Sequence, residues 1–220
     1  MNQKALVVDL DGTLMDTNTF KDYIIYVCML ALKKVRLDLV FLLCFLVFLR
    51  KTRLVSHELM KRLILLASKS LMNEKYLSDF VDTLWPKINV KVQDIISQWQ
   101  DSNEFVLLST AAPESYALII AKRLALNGCS ATPMPKRGIN WKENVRRIKC
   151  ENTLLFLGEN NLTLEVFLTD HYDDLPLLKV AKKQNLIVNP SARTISCLNK
   201  NCIKYEIIKM TTFCRVCSET

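Results

Sequence analysis

Val7-Val8-Asp9-Leu10-Asp11-Gly12-Thr13-Leu14 is a short apolar run that ends in two carboxylates one residue apart, followed at once by glycine and threonine. Side chains alternate faces along an extended chain, so Asp9 and Asp11 leave a strand on the same side. Two carboxylates held that close repel unless a cation sits between them or one is protonated. A hard divalent ion, Mg2+ above all, suits an all-oxygen site facing phosphate. Gly12 lets the backbone leave the strand sharply. Asp and Gly are also ordinary turn residues, so this stretch alone fits either a metal-binding strand end or a plain turn.

Around it the chain has 220 residues, half of them apolar, enough for one large domain or for a core with a small insertion. Met1 to Asp9 leaves no room for a signal peptide, which predicts chemistry facing the cytoplasm. The eight cysteines then read as reduced thiols rather than a disulfide framework. In the tail, Cys214 and Cys217 have zinc-ligand spacing, but Cys197 and Cys202 are spaced too widely, and free thiols are the simpler expectation. The formal charge of +8 is unevenly spread: from Lys21 to Lys75 eleven basic residues face four acidic ones. That segment is also the most apolar in the chain, a poor match for a nucleic-acid face, and no nucleic-acid partner is expected.

Within it, Tyr23 to Leu32 and Leu39 to Leu49 are apolar runs separated and closed by cations. Neither reaches the ~20 residues that span a bilayer. The simpler reading is buried helices of an inserted bundle; the alternative is helices that lie on or dip into a membrane with the flanking cations on lipid head groups. Leu59, Met60, Leu63, Leu66 and Ala67 then mark one face of an amphipathic helix. Tyr76, Leu77, Phe80, Val81 and Leu84 mark a second, stopped by Pro86. A third face, from Val92 to Trp99, leads back to the core near residue 90.

Phe105-Val106-Leu107-Leu108 is the next strand, ending in Ser109-Thr110-Ala111-Ala112-Pro113-Glu114 before a helix that Gly128 is expected to close. A hydroxyl there either caps the helix or holds an oxyanion together with backbone N–H groups. Pro133, Pro135 and Gly138 predict irregular backbone, and 151–158 a short helix ending at Gly158. Leu164 to Leu168 reads as a strand running into Asp170, Asp173 and Asp174, where Asp170 and Asp174 can meet on one face of a starting helix. Leu186-Ile187-Val188 is a last short strand. Strands alternating with helices predict an α/β fold with a parallel sheet, whose ligands sit outside the carboxyl ends of the strands, where Asp9, Thr110 and Asp170 all fall.

These clusters resemble the signatures of the haloacid dehalogenase (HAD) phosphohydrolase superfamily, in its phosphoserine-phosphatase-like branch. Asp9-Leu10-Asp11-Gly12-Thr13 is similar to the first signature, Thr110 to the second, and Asp170 with Asp174 to the fourth. The resemblance covers residues 1–14 and roughly 90–190. It implies a three-layer Rossmannoid core (1–14 and 90–220) with an all-helical cap inserted at 15–89. It also implies Asp9 as a nucleophile that becomes an aspartyl-phosphate, Asp11 as the proton carrier, and Mg2+ held by Asp9, the Asp11 carbonyl, Asp170 and Asp174. The second acid speaks against a true dehalogenase, which needs no proton donor for a halide. The lysine that the third signature requires is assigned to Lys149, which leaves one helix and one strand before Asp170; Lys142 is the other candidate. His171 reads as a turn residue. The implied activity is phosphomonoester hydrolysis, and the greasy, basic insertion points to an amphiphilic or lipid phosphate met at the inner face of a membrane. A soluble substrate such as phosphoserine or a sugar phosphate is the alternative, as is a weakly active accessory or binding protein with this fold.

Overall fold

In the computed structural model of the chain, which describes residues 3–209, the apolar run before Asp9 is strand β1 (Gln3–Val8). β2 (Phe105–Pro113) and β3 (Gly128–Thr132) lie on one side of it. β4 (Leu162–Thr169), β5 (Gln184–Val188) and β6 (Glu206–Ile208) lie on the other, giving the order β3-β2-β1-β4-β5-β6 with every pair parallel. Alternate strand residues enter two separate apolar clusters: Leu6, Val8, Val106 and Leu108 the larger, Ala5, Val7, Leu107 and Phe167 the smaller. Burial on both faces is why these strands are continuous apolar runs, and helices close both sides into three layers.

Register positions the chemistry. Val8 pairs with Leu108 on β2 and with Leu168 on β4, so Asp9, Thr110 and Asp170 leave the sheet at one edge and nearly one level. The winding direction reverses at β1, where open α/β sheets form a crevice outside the strand ends.

Helices α1 (Thr19–Lys33), α2 (Leu37–Lys51), α3 (His57–Ser68) and α4 (Glu74–Leu84) follow β1, and α5 (Val90–Asp101) leads into β2. The side chains of Asn18, Ser56 and Asn73 cap α1, α3 and α4 by accepting backbone N–H groups of Lys21, Leu59 and Tyr76, the usual role of short polar residues at helix starts. Their buried residues extend the larger cluster, with α4 packed on α6 (Glu114–Arg123) and α1 reaching β2. Among the described residues no helix is long and apolar enough to cross a membrane.

Several elements differ from the sequence expectation. α3 buries Met60, Lys61, Ile64, Leu65 and Ser68, while Leu59 and Leu63 face outward. The stripe is rotated because Lys61 and Ser68 find buried partners in Glu143 and Tyr23. α6 ends at Arg123, not at Gly128, which opens β3 instead; a Cβ there would press on the Phe156 ring. α7 (Arg146–Glu159) starts before Lys149 and runs past Gly158 to a turn with Asn161 at φ 53°. After β4 come a 3-10 turn (Tyr172–Asp174) and α8 (Leu175–Leu178), and α9 (Ala192–Lys200) and β6 complete the sheet edge. Among the described residues the six cysteines carry free thiols, Cys197 and Cys202 among them; the Cys214 and Cys217 pair lies outside the described residues.

Candidate active site

Asp9 is anchored by its own backbone, whose N–H donates to the Leu168 carbonyl at 2.9 Å and so extends the pairing of β1 with β4 by one residue. Asp11 is held from the other side: the Thr19 N–H, at the start of α1, donates to its Oδ1 at 2.9 Å. Burial raises the Asp11 carboxyl above its usual range, against the pull of Thr19, Lys61 and Lys149. Thr110 is buried within β2, just past Ser109 where the pairing with β3 becomes irregular, and its Oγ1 accepts the Ala112 N–H at 3.0 Å. That leaves its hydroxyl hydrogen free to donate. Ser109 instead turns to the other layer and bonds Thr153 of α7.

Lys149 projects from the first turn of α7 into the same space. Its Nζ donates to Asp9 Oδ1 and to Asp174 Oδ2, each at 2.7 Å, and Thr169 Oγ1 donates to the same Asp174 oxygen. Burial lowers the lysine's pKa, but the two carboxylates more than compensate and leave it raised. Asp9, Asp11, Thr110, Lys149, Asp170 and Asp174 all line one cleft of about 250 Å³. Lys142 lies in the adjoining chamber instead. His171 caps the 3-10 turn, its Nδ1 accepting the Asp173 N–H at 3.2 Å, and Asp173 pairs with Arg146 at 3.2 Å.

The cleft holds more negative than positive charge. Burial drives Asp9 up to about 8 against the pull of Lys149, with Asp174 and Asp170 adding to the rise. Burial, then Asp174, drives Asp170 up to about 7. Among the described residues no three His, Cys, Asp or Glu side chains group into a metal cage. Asp9 and Asp174 each give one oxygen to the lysine and keep the other, so the side chains of Asp9, Asp170 and Asp174 and the carbonyl of Asp11 are the candidate donors. Few protein oxygens with the remaining positions given to water and phosphate is how Mg2+ is usually held, and the donor set fits it. Gly12 (φ +73°) permits this closeness, since a Cβ there would fall on the Asp170 carboxylate. Gly12→Ala is therefore expected to cost about 1–3 kcal/mol in urea unfolding; an unchanged midpoint would mean that the loop has room to relax.

Next to the cleft, and sharing Asp11, Asn18 and Ala111 with it, is a chamber of about 540 Å³. Its wall contains residues the sequence did not single out. Lys61 Nζ, buried, donates to Glu143 Oε1 at 2.5 Å and to the Ala111 carbonyl at 2.7 Å, and Glu143 Oε2 meets His57 Nδ1 at 3.1 Å. Burial raises the Glu143 carboxyl, but His57 and Lys61 outweigh it and hold it below the usual range. Asn144, fully buried, donates to the Thr110 carbonyl at 2.9 Å and ties β2 to the segment before α7. Lys61 lies off the stripe that the leucines of α3 suggest, so no local signal in the sequence pointed to it. Nothing local marked Glu143 or Asn144.

The parallel sheet with its order reversal at β1 has the same fold as solved HAD-family hydrolases and phosphoserine phosphatases. The chain superposes on a crystal structure of a protein with unknown function from Bordetella pertussis Tohama I with a TM-score of 0.72 and 17% identity, covering 94% of this chain and 99% of that one. A probable phosphoserine phosphatase from Vibrio cholerae gives 0.66 and 13%, covering 94% of this chain and 61% of that one. A phosphoserine phosphatase solved as a phospho-aspartyl intermediate analogue gives 0.59 and 14%, covering 96% and 94%. The sequence matches no protein-family model and no curated protein.

Proposed function

We propose that the chain is a Mg2+-dependent phosphomonoester hydrolase working through an aspartyl-phosphate. The pairing of Asp9 with Lys149 on the cleft floor carries this: the ammonium holds Oδ1 and leaves the other carboxylate oxygen to attack. That oxygen bonds to phosphorus as the bond to the substrate oxygen breaks, and Asp11 gives its proton to the departing alkoxide. Burial, which favours the protonated form of Asp11, and the Thr19 N–H, which fixes its direction, support this role. In the second displacement Asp11 takes a proton from water, the water oxygen bonds to phosphorus, and Asp9 leaves as a carboxylate with release of inorganic phosphate. The Thr110 hydroxyl and Lys149 receive phosphate oxygens throughout. When bound at Asp9, Asp170, Asp174 and the Asp11 carbonyl, Mg2+ would screen carboxylate from phosphate and stabilise transition-state charge.

We read residues 15–89 as a cap that selects the alcohol, because Asn18, Phe20, His57 and Lys61 from that segment line the chamber. The alcohol we favour is amphiphilic, a lipid or polyprenyl phosphate at a membrane surface, since α1 and α2 carry exposed apolar side chains beside clustered cations. A small soluble phosphomonoester such as phosphoserine is the second reading, favoured by the charged Glu58, Lys142 and Arg146 of the chamber wall. Phosphate release from an aryl phosphate, phosphoserine and a lipid phosphate in micelles decides among them. Release should need Mg2+, fall at least ~100-fold on chelation, and show its highest kcat/KM with the lipid phosphate. A preference for phosphoserine would remove the lipid substrate; no release from any substrate would leave a binding protein.

A further inference from the structure

We infer that the outer face of α1 and α2 is a docking surface for an anionic lipid bilayer. α2 buries only Leu39, Leu43 and Leu46. Apart from the half-buried Val40 and Leu49, its other large side chains stand in solvent, led by Phe41 (73% exposed), Phe45 and Phe48, with Leu37 and Leu42 beside them. Ile25, Met29 and Leu32 of α1 and Val35 of the connecting turn add to the same hairpin. Soluble monomers rarely leave so many apolar side chains together in water without a use for them.

Charge selects the occupant. Lys33, Lys34 and Arg36 cluster at the turn before α2, and Arg50, Lys51 and Arg53 at its far end. Asp38, the acid of this stretch, is already bonded by Arg36. The 15-residue helix is about 22 Å long, so an apolar centre lies between two cationic ends. A helix lying in the interface buries its apolar face among acyl chains while lysine and arginine reach up to phosphates. A second copy of this chain would set cation clusters against cation clusters without acids to answer them, which costs affinity. An anionic bilayer supplies both the apolar layer and the negative charge. α1 runs from the chamber, where Asn18 and Phe20 line the wall, to this face, so one helix joins lipid to cleft. That link rests on the phosphatase proposed above; the contact with lipid does not.

The test is flotation of the full chain with vesicles of phosphatidylcholine alone or with roughly one third phosphatidylglycerol. It is run on wild type, on the Asp9→Asn chain, on Phe41→Ser with Phe45→Ser and Phe48→Ser, and on Arg50→Glu with Lys51→Glu and Arg53→Glu. Wild type and Asp9→Asn should float equally with the anionic vesicles and poorly with the neutral ones. Both surface variants should lose at least ~10-fold in bound fraction while releasing phosphate from an aryl phosphate as wild type does. Failure of wild type to float, flotation undiminished in both variants, or a wild-type dimer that the phenylalanine variant converts to monomer would each overturn the lipid surface. Flotation without phosphate release from any chain would support the surface and count against the phosphatase alone.

Discussion

Asp9→Asn is expected to lower phosphate release on the order of 10^4-fold or more while leaving the fold intact, with Asp9 and its variant compared at equal folded concentration by inorganic phosphate assay and thermal melting. The two effects separate because the change is isosteric. An amide keeps the backbone N–H of residue 9 on Leu168 and still accepts from Lys149, but it has no carboxylate oxygen to bond phosphorus. Stability is pulled both ways. The ion pair with Lys149 weakens, yet Lys149 keeps Asp174 at 2.7 Å, and one of several crowded buried carboxylates is gone. Burial drives Asp9 up to about 8 even against the pull of Lys149, so its charge is a burden to the fold, and the net change should stay within about 1–2 kcal/mol. Retained turnover in the asparagine variant would remove Asp9 as nucleophile.

The parts of the site that the sequence made legible are those built from contiguous residues. Asp9 and Asp11 share a strand face by the period of two, and Thr110 and Asp170 each follow an apolar run, so parallel pairing of Val8 with Leu108 and Leu168 brings all three ends together. What the sequence hid depends on partners far along the chain. Lys61 is buried only because Glu143, 82 residues away, accepts from it, and that pairing rotates α3 away from the stripe its leucines suggest. Gly128 looked like a helix end because glycine often is one, but the requirement it meets is tertiary, room for Phe156 of α7 against β3. β6 is three residues long and is fixed by the sheet edge, where Ile208 pairs with Val188, while α9 is started locally by the Ser191 cap.

Lys149→Met should be the most damaging change after Asp9→Asn, and it tests whether this lysine, not Lys142, completes the proposed centre. Among the described residues the ammonium is the one cation bonded to both Asp9 and Asp174, and an apolar side chain of similar length leaves both carboxylates buried without it. Removing one partner of a buried pair typically costs about 3–5 kcal/mol, and loss of a fixed positive group beside the reacting phosphate about 10^2- to 10^3-fold in kcat. The stability loss, but not the kinetic one, should be partly relieved by adding Asp174→Asn, because the amide removes one uncompensated charge while no ammonium returns to the phosphate. Lys142→Met, in the chamber wall, should leave the unfolding midpoint unchanged and turnover of an aryl phosphate within about 3-fold. Urea unfolding and steady-state kinetics on the four proteins read this out. If Lys142→Met is the slow variant and Lys149→Met turns over normally, the phosphate is held from the chamber side, and the bond between Lys149 and Asp9 serves packing rather than chemistry.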